Sequence, residues 1–179
     1  MLHLLINYGD CMERSTKFKA AIKILDSRVN DWGLPSYAKE GDAGIDLRAC
    51  IDDPIVIKEG ECVLIPTGIA VYINDPNVVG LLMPRSGLGH KQGIVLGNTV
   101  GVIDSQYQGQ ILASIWNRNQ DNTSNVLKEV HSDNRRIINP GDLICQLIFM
   151  PFLTVEFDIV DSFVKSDRGE GGFGHTGLN

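Results

Sequence analysis

At 179 residues the chain has the size of one domain, because chains usually divide only beyond about 250 residues. A composition of 43% hydrophobic and 21% charged residues excludes a disordered polar chain, and no apolar run approaches the roughly 18 residues of a membrane span. A formal net charge of -6 excludes a surface built to coat nucleic acid, while a small anion held by backbone amides or a bound cation stays open.

Leu2 to Ile6 is too short, and too poor in flanking basic residues, for a secretory signal, so a cytoplasmic location is expected. Met12 offers a second start, which makes residues 1–11 a dispensable leader within an N-terminal extension, 1–19. From Ala20 the pattern is one of short strands. Ile22 and Ile24 flank Lys23, Ile55 and Ile57 lead into a Glu59-Gly60 turn, and Cys62 to Ile73 runs apolar except at Pro66-Thr67-Gly68. Ile111 to Trp116 and Leu143 to Met150 are further strands, and Val155, Phe157 and Ile159 alternate with polar residues as a half-buried strand does. Arg85 to Gln92 and Asn125 to His131 are the two places where a short helix fits. Nineteen glycines, above the typical level of about 7%, point to turns and close backbone approaches. This rhythm predicts an all-β sandwich, jelly roll or barrel. The main domain is expected at 20–164, interrupted by a long polar connection at 119–139 and followed by a glycine-rich arm at 165–179. Cys11, Cys50, Cys62 and Cys145 form no CxxC pair and read as buried thiols.

Five segments carry side chains suited to chemistry. AGIDLRA, Ala43 to Ala49, places Asp46 at a strand entrance, either as a functional carboxylate or as an outward-facing one. PRSGLG, Pro84 to Gly89, sets Arg85, Ser86 and the amides around Gly87 where they could converge on phosphate oxygens, or alternatively forms a short helix capped by Ser86. NTVGVIDSQYQG, Asn98 to Gly109, brings an amide, a carboxylate and an aromatic ring together. Asn98 matches the acceptor and N–H edge of a pyrimidine and Asp104 suits a general base, though both residues also serve in plain turns. In PGDLICQLIF, Gln146 interrupts an apolar run and needs a partner: a ligand, a subunit contact or a structural hydrogen bond. RGEGGFGHTG, Arg168 to Gly177, reads as a disordered tail or as a lid closing on a base and a phosphate.

The order of these segments closely resembles that of the five motifs of the trimeric deoxyuridine triphosphatase family, from about Ile22 to Gly177, with PRSGLG, the IDSxYxG core and RGxGGFG as the specific combination. The resemblance implies a jelly-roll (β-clip) subunit with one short helix, a homotrimer with shared sites, and cleavage of dUTP to dUMP and pyrophosphate. It implies that Asp104 activates the attacking water and that Tyr107 lies beneath the deoxyribose and rejects ribonucleotides. Asn98, with backbone groups of Gly101, Val102 and Ile103, would read uracil. Arg85, Ser86, Gly87 and Gln146 would hold the triphosphate, capped by Arg168, Gly174, His175 and Thr176, with Phe173 stacking on the base. Asp46 would act near a magnesium ion through water. Magnesium is also expected because a triphosphate meets few cations here.

Gln106 departs from the family pattern, standing where many relatives carry a second acid. Two rival readings keep the fold: a dCTP deaminase-type or bifunctional enzyme, for which the hairpin lacks an obvious glutamate proton shuttle, and a nucleotide-sensing regulatory protein.

Overall fold

The computed structural model describes residues 18–119 and 134–170. In chain order the first elements are β1 (Ala21–Ile24), α1 (Arg28–Trp32), β2 (Ile45–Arg48), β3 (Ile55–Ile57), β4 (Cys62–Tyr72) and β5 (Val78–Pro84). They are followed by α2 (Ser86–Gln92), β6 (Ile94–Leu96), β7 (Gly101–Ile103), β8 (Gln110–Asn117), β9 (Arg136–Ile138) and β10 (Leu143–Pro151). Two four-stranded sheets, ordered β1-β4-β8-β6 and β2-β10-β5-β7, enclose the core, and β3 and β9 form a two-stranded sheet. Every pairing is antiparallel, as expected for a chain folded from short strands and turns.

Period-two alternation puts the core where the sequence places it. Along β8, Ile111, Ala113 and Ile115 are buried while Leu112 and Trp116 face outward. They pack with Ile65 and Ile69 of β4 and, from the opposite sheet, with Leu47, Leu82 and Leu147. Each fully buried aliphatic side chain contributes about 1.5–3 kcal/mol. The Pro66-Thr67-Gly68 interruption is a register shift within β4, not the end of the strand. There Thr67 donates its hydroxyl to the Ile111 carbonyl at 2.8 Å. Gly68 has φ +74, and a Cβ on it would lie 2.7 Å from the Cys50 sulfur. Only glycine fits both conditions.

Several expectations are corrected. α1 has no helical period to announce it; it is held by its surroundings. Arg28 grips Asp26 through Nε (2.9 Å) and Nη2 (2.7 Å), and its Nη1 donates to the Ile51 carbonyl at 2.7 Å. Val155, Phe157 and Ile159 form no strand: the Phe152 amide donates to the Asn77 carbonyl at 3.0 Å, but among the described residues 153–160 enter no strand pairing, with Phe157 83% and Ile159 100% exposed. The alternation is real, but among the described residues no free strand edge takes it up. The end of the expected 119–139 connection is instead β9, which pairs with β3, while the helix expected at Asn125 to His131 lies outside the described residues. Cys50 and Cys145 are buried as expected, and burial pushes the Cys145 thiol up to about 12, but Cys62 is exposed on the outer face of β4, 3.1 Å from the Ser114 hydroxyl. Among the described residues no helix is long and apolar enough to cross a membrane.

Candidate active site

Strand pairing gathers three of the five segments at one end of the second sheet. Gln146 of β10 stands opposite Asp46 of β2 on one side and Met83 of β5 on the other, and Arg85 follows directly after β5. Arg85 donates to Asp46 from Nε at 2.8 Å and from Nη2 at 3.2 Å, while its Nη1 reaches the Leu143 carbonyl at 3.2 Å. A planar guanidinium held on three sides has little freedom to reorient. Gln146 donates to the Pro84 carbonyl at 2.9 Å, so its polar group is met by a structural hydrogen bond. A Cβ on Gly44 would run into the Gln146 amide, with Cδ at 3.2 Å, which explains the glycine before Asp46.

These residues line a cleft of about 380 Å³ together with Ser86, Gly87 and the 36–44 loop. Ser86 is the first residue of α2 and does not cap it; the capping position belongs to Arg85, in extended conformation. The Ser86 side chain is exposed at the cleft. A Cβ on Gly87 would meet nothing within 4 Å, so the fold's own packing does not demand glycine there.

The hairpin segment forms a second, separate cluster. Thr99 turns the chain with φ +60, its amide donating to the Leu96 carbonyl at 3.0 Å, so that Asn98 stands at the head of the turn. A methyl on Gly101 would contact Leu82 Cβ at 3.0 Å and Asn98 Nδ2 at 3.4 Å. Val102 is exposed and Ile103 packs against the core. Asp104 is exposed, and its carbonyl accepts the Tyr107 amide at 3.0 Å. The Tyr107 hydroxyl donates to the Gln110 carbonyl at 2.9 Å, and its ring occupies the space a Cβ on Gly109 would need, with Cζ at 2.6 Å. Gln106 accepts from Tyr72 at 3.4 Å, while the Asn74 amide donates to the Ser105 carbonyl at 3.0 Å.

Asp104 and Arg85 stand at opposite ends of β5. Ile103 pairs with Gly80 and Gly101 with Leu82, so antiparallel β7 carries Asp104 toward the start of β5 while Arg85 leaves from its end. At about 3.4 Å per residue the two lie about 20 Å apart along the strand. No residue from Asn98 to Tyr107 lines the cleft of Asp46 and Gln146, or the one that Arg85 borders with Arg48 and Ile137. Arg168 lies on the exposed stretch after β10 and is not among the residues that line the cleft of Asp46 and Gln146. Phe173, Gly174, His175 and Thr176 lie outside the described residues. Sequence reasoning placed Gly44 and Gly109 inside recognised segments but missed what they accommodate, the Gln146 amide and the Tyr107 ring. It also missed Ser36, Ala38 and Asp42, which line the cleft from a loop with no motif.

Comparison with known proteins places the whole described fold beside one family. The family model described as dUTPase matches residues 30–177. The chain is 51% identical over 160 residues to the deoxyuridine 5'-triphosphate nucleotidohydrolase of Escherichia coli O45:K1, covering 89% of this chain and 97% of the relative. The dUTPase of Staphylococcus bacteriophage 80alpha with dUPNHPP superimposes with a TM-score of 0.71 at 28% identity, covering 90% of this chain and 100% of that one. A dUTPase from phage phi11 of S. aureus, with a coordinated structural Mg(II) ion, gives 0.67 at 25% identity, covering 83% and 100%.

Proposed function

The chain belongs to the dUTPase family, and from that premise we propose that its two separated clusters make one catalytic centre between subunits. The enzyme hydrolyses dUTP to dUMP and pyrophosphate. The observation that carries the shared centre is the separation itself: the Asp46–Arg85 cleft contains no hairpin residue that could act as base, and Asp104 sits exposed about 20 Å away along β5.

In this reading the cleft of one subunit holds the triphosphate. Ser86 and the Gly87 amide donate to phosphate oxygens, and the open space at Gly87 suits close approach by a ligand. Asp46 keeps the Arg85 guanidinium in one orientation beside them, and Gln146 borders the cleft from β10. The neighbouring subunit supplies Asp104, Asn98 and Tyr107. Asp104 accepts a proton from a water whose oxygen bonds to the α-phosphorus. The bond from that phosphorus to the bridging oxygen breaks, and the electron pair leaves with pyrophosphate. Asn98 and the backbone of Gly101, Val102 and Ile103 read the uracil edge. Tyr107, fixed by Gln110, lies beneath the deoxyribose and leaves no room for a 2′-hydroxyl. Arg168, Phe173, Gly174, His175 and Thr176, on the arm at 165–179, close over the bound nucleotide.

Among the described residues no group of three His, Cys, Asp or Glu side chains could hold a metal, and the Asp46 carboxylate is engaged by Arg85. Such a donor set fits magnesium held chiefly by phosphate oxygens and water, with Asp46 reaching it through a water molecule. Bound magnesium would supply positive charge that offsets the charge of the triphosphate beside Asp46.

Exposed apolar surface supports the homotrimer. Leu64, Leu112 and Trp116 face outward from the first sheet, and Leu153, Val155 and Phe157 extend beyond β10. Such surface is costly in water and is covered when copies pack together. The alternating 154–159 segment finds its strand partner on a neighbour in this arrangement.

Complementation tests the shared centre. Arg85→Ala and Asp104→Asn chains, each inactive alone, are co-expressed. The co-expressed population should regain about a quarter of wild-type turnover, the statistical share of sites that pair an intact cleft with an intact hairpin when the two chains mix at random. Turnover no higher than the sum of the two variants would place the whole centre within one chain.

A further inference from the structure

We propose that Asn119 and Arg136, at the two ends of the long connection between β8 and β9, are positioning residues for the phosphate cradle and act through α2. The proposal rests on the reading of Ser86 and Gly87 as triphosphate-binding.

α2 is seven residues long and contains Gly87 and Gly89, so it is a poor helix in isolation. Its last carbonyls have no partners within the helix. The structure meets them from outside. Arg118 Nη2 donates to the Gly89 carbonyl at 2.9 Å, and the Arg118 amide to the Gly93 carbonyl at 2.9 Å. Asn119 Nδ2 and Arg136 Nε both donate to the Gln92 carbonyl, each at 2.8 Å. One carbonyl oxygen thus receives both sides of the connection. Gly93 permits the approach: at φ +71, a Cβ there would lie 2.6 Å from Asn119 Nδ2. Asn119 is braced in turn by Asn117, whose Oδ1 accepts its side-chain amide at 2.7 Å and which is fully buried. The guanidinium groups of Arg118 and Arg136 also place positive charge where the helix end is negative.

α2 is therefore pinned at the end opposite Ser86 and Gly87. Releasing that pin lets the helix fray and loosens the placement of the cradle. The hairpin that carries Asp104 pairs with β5 and not with α2. The effect falls on substrate binding and not on the chemical step.

The test uses the full-length enzyme with Asn119→Ala, Arg136→Ala, the double variant and Arg136→Lys, reading KM and kcat for dUTP together with Tm. Loss of both donors should raise KM about 5- to 10-fold and change kcat less than about 3-fold. Arg136→Lys, which keeps a cationic donor, should bring KM back to within about twofold. If the double variant does not fold, Asn119→Ala alone should raise KM about threefold. An unchanged KM, whether or not Tm falls, overturns the proposal, because a merely structural clasp would lower Tm alone. Ser86→Ala is measured alongside. If it leaves KM unchanged, the cradle reading fails and the proposal with it; if it raises KM while the clasp variants do not, the clasp alone is refuted.

Discussion

The Asp46 carboxylate faces the Arg85 guanidinium across the ends of β2 and β5, with Oδ1 2.8 Å from Nε. Both groups are about one-third exposed, so their attraction is partly screened and the pair matters more for orientation than for stability. Asp46→Asn keeps the shape and removes the charge. Tm should stay close to that of the wild type while KM for dUTP rises about tenfold, a loss typical of a charge-assisted hydrogen bond. Steady-state kinetics together with a thermal melt separate the two effects.

Asp104→Asn tests the base directly. Its exposure makes a folding defect improbable as the cause of any change, and turnover should fall about 10²-fold or more at unchanged Tm. Pyrophosphate release within about threefold of wild type would refute the assignment.

Gly109→Ala is expected to weaken sugar discrimination. Its Cβ would press on the Tyr107 ring, whose hydroxyl is tied to Gln110, so the ring must move. The preference for dUTP over UTP should drop about tenfold, measured as the ratio of kcat/KM values.

The Asp26–Arg28 pair gives a pH dependence of known sign. Hydrogen bonds from the Arg28 side chain and amide hold the Asp26 carboxyl well below the usual carboxylate range. A carboxyl whose folded pKa is depressed adds stability that is complete above its unfolded value, near about 4, and is lost as pH falls below that. Wild-type Tm should therefore fall more steeply below about pH 4 than that of Asp26→Asn, and the two curves should converge in acid. Parallel curves would show that the pair does not couple to folding.

Much of this architecture was legible because it rests on local pattern. The alternation in β8 and the apolar runs of β4 and β10 mark their strands, and PRSGLG marks α2. What escaped depends on distance. Asp46 and Arg85 both read as ligand-facing residues, 39 positions apart, and only the β2-β10-β5 order shows that they face each other. α1 depends on an arginine reaching Ile51, which no helical period can report. The alternation at 154–159 forms no strand, because a period reports which side chains could share a face and not whether a strand edge is free to pair with them.

Asn117 has a consequence beyond packing. Fully buried at the end of β8, it donates to the Ile57 carbonyl at 3.1 Å and to the Asn134 carbonyl at 2.9 Å. One side chain thus ties the residue that opens the long connection to the residue that closes it. With both ends fixed, the closure entropy of whatever lies between grows only as the logarithm of its length. A change in the number of residues between Asn119 and Asn134 therefore alters that entropic cost only slightly, whatever the length, provided the Asn117 tie is kept.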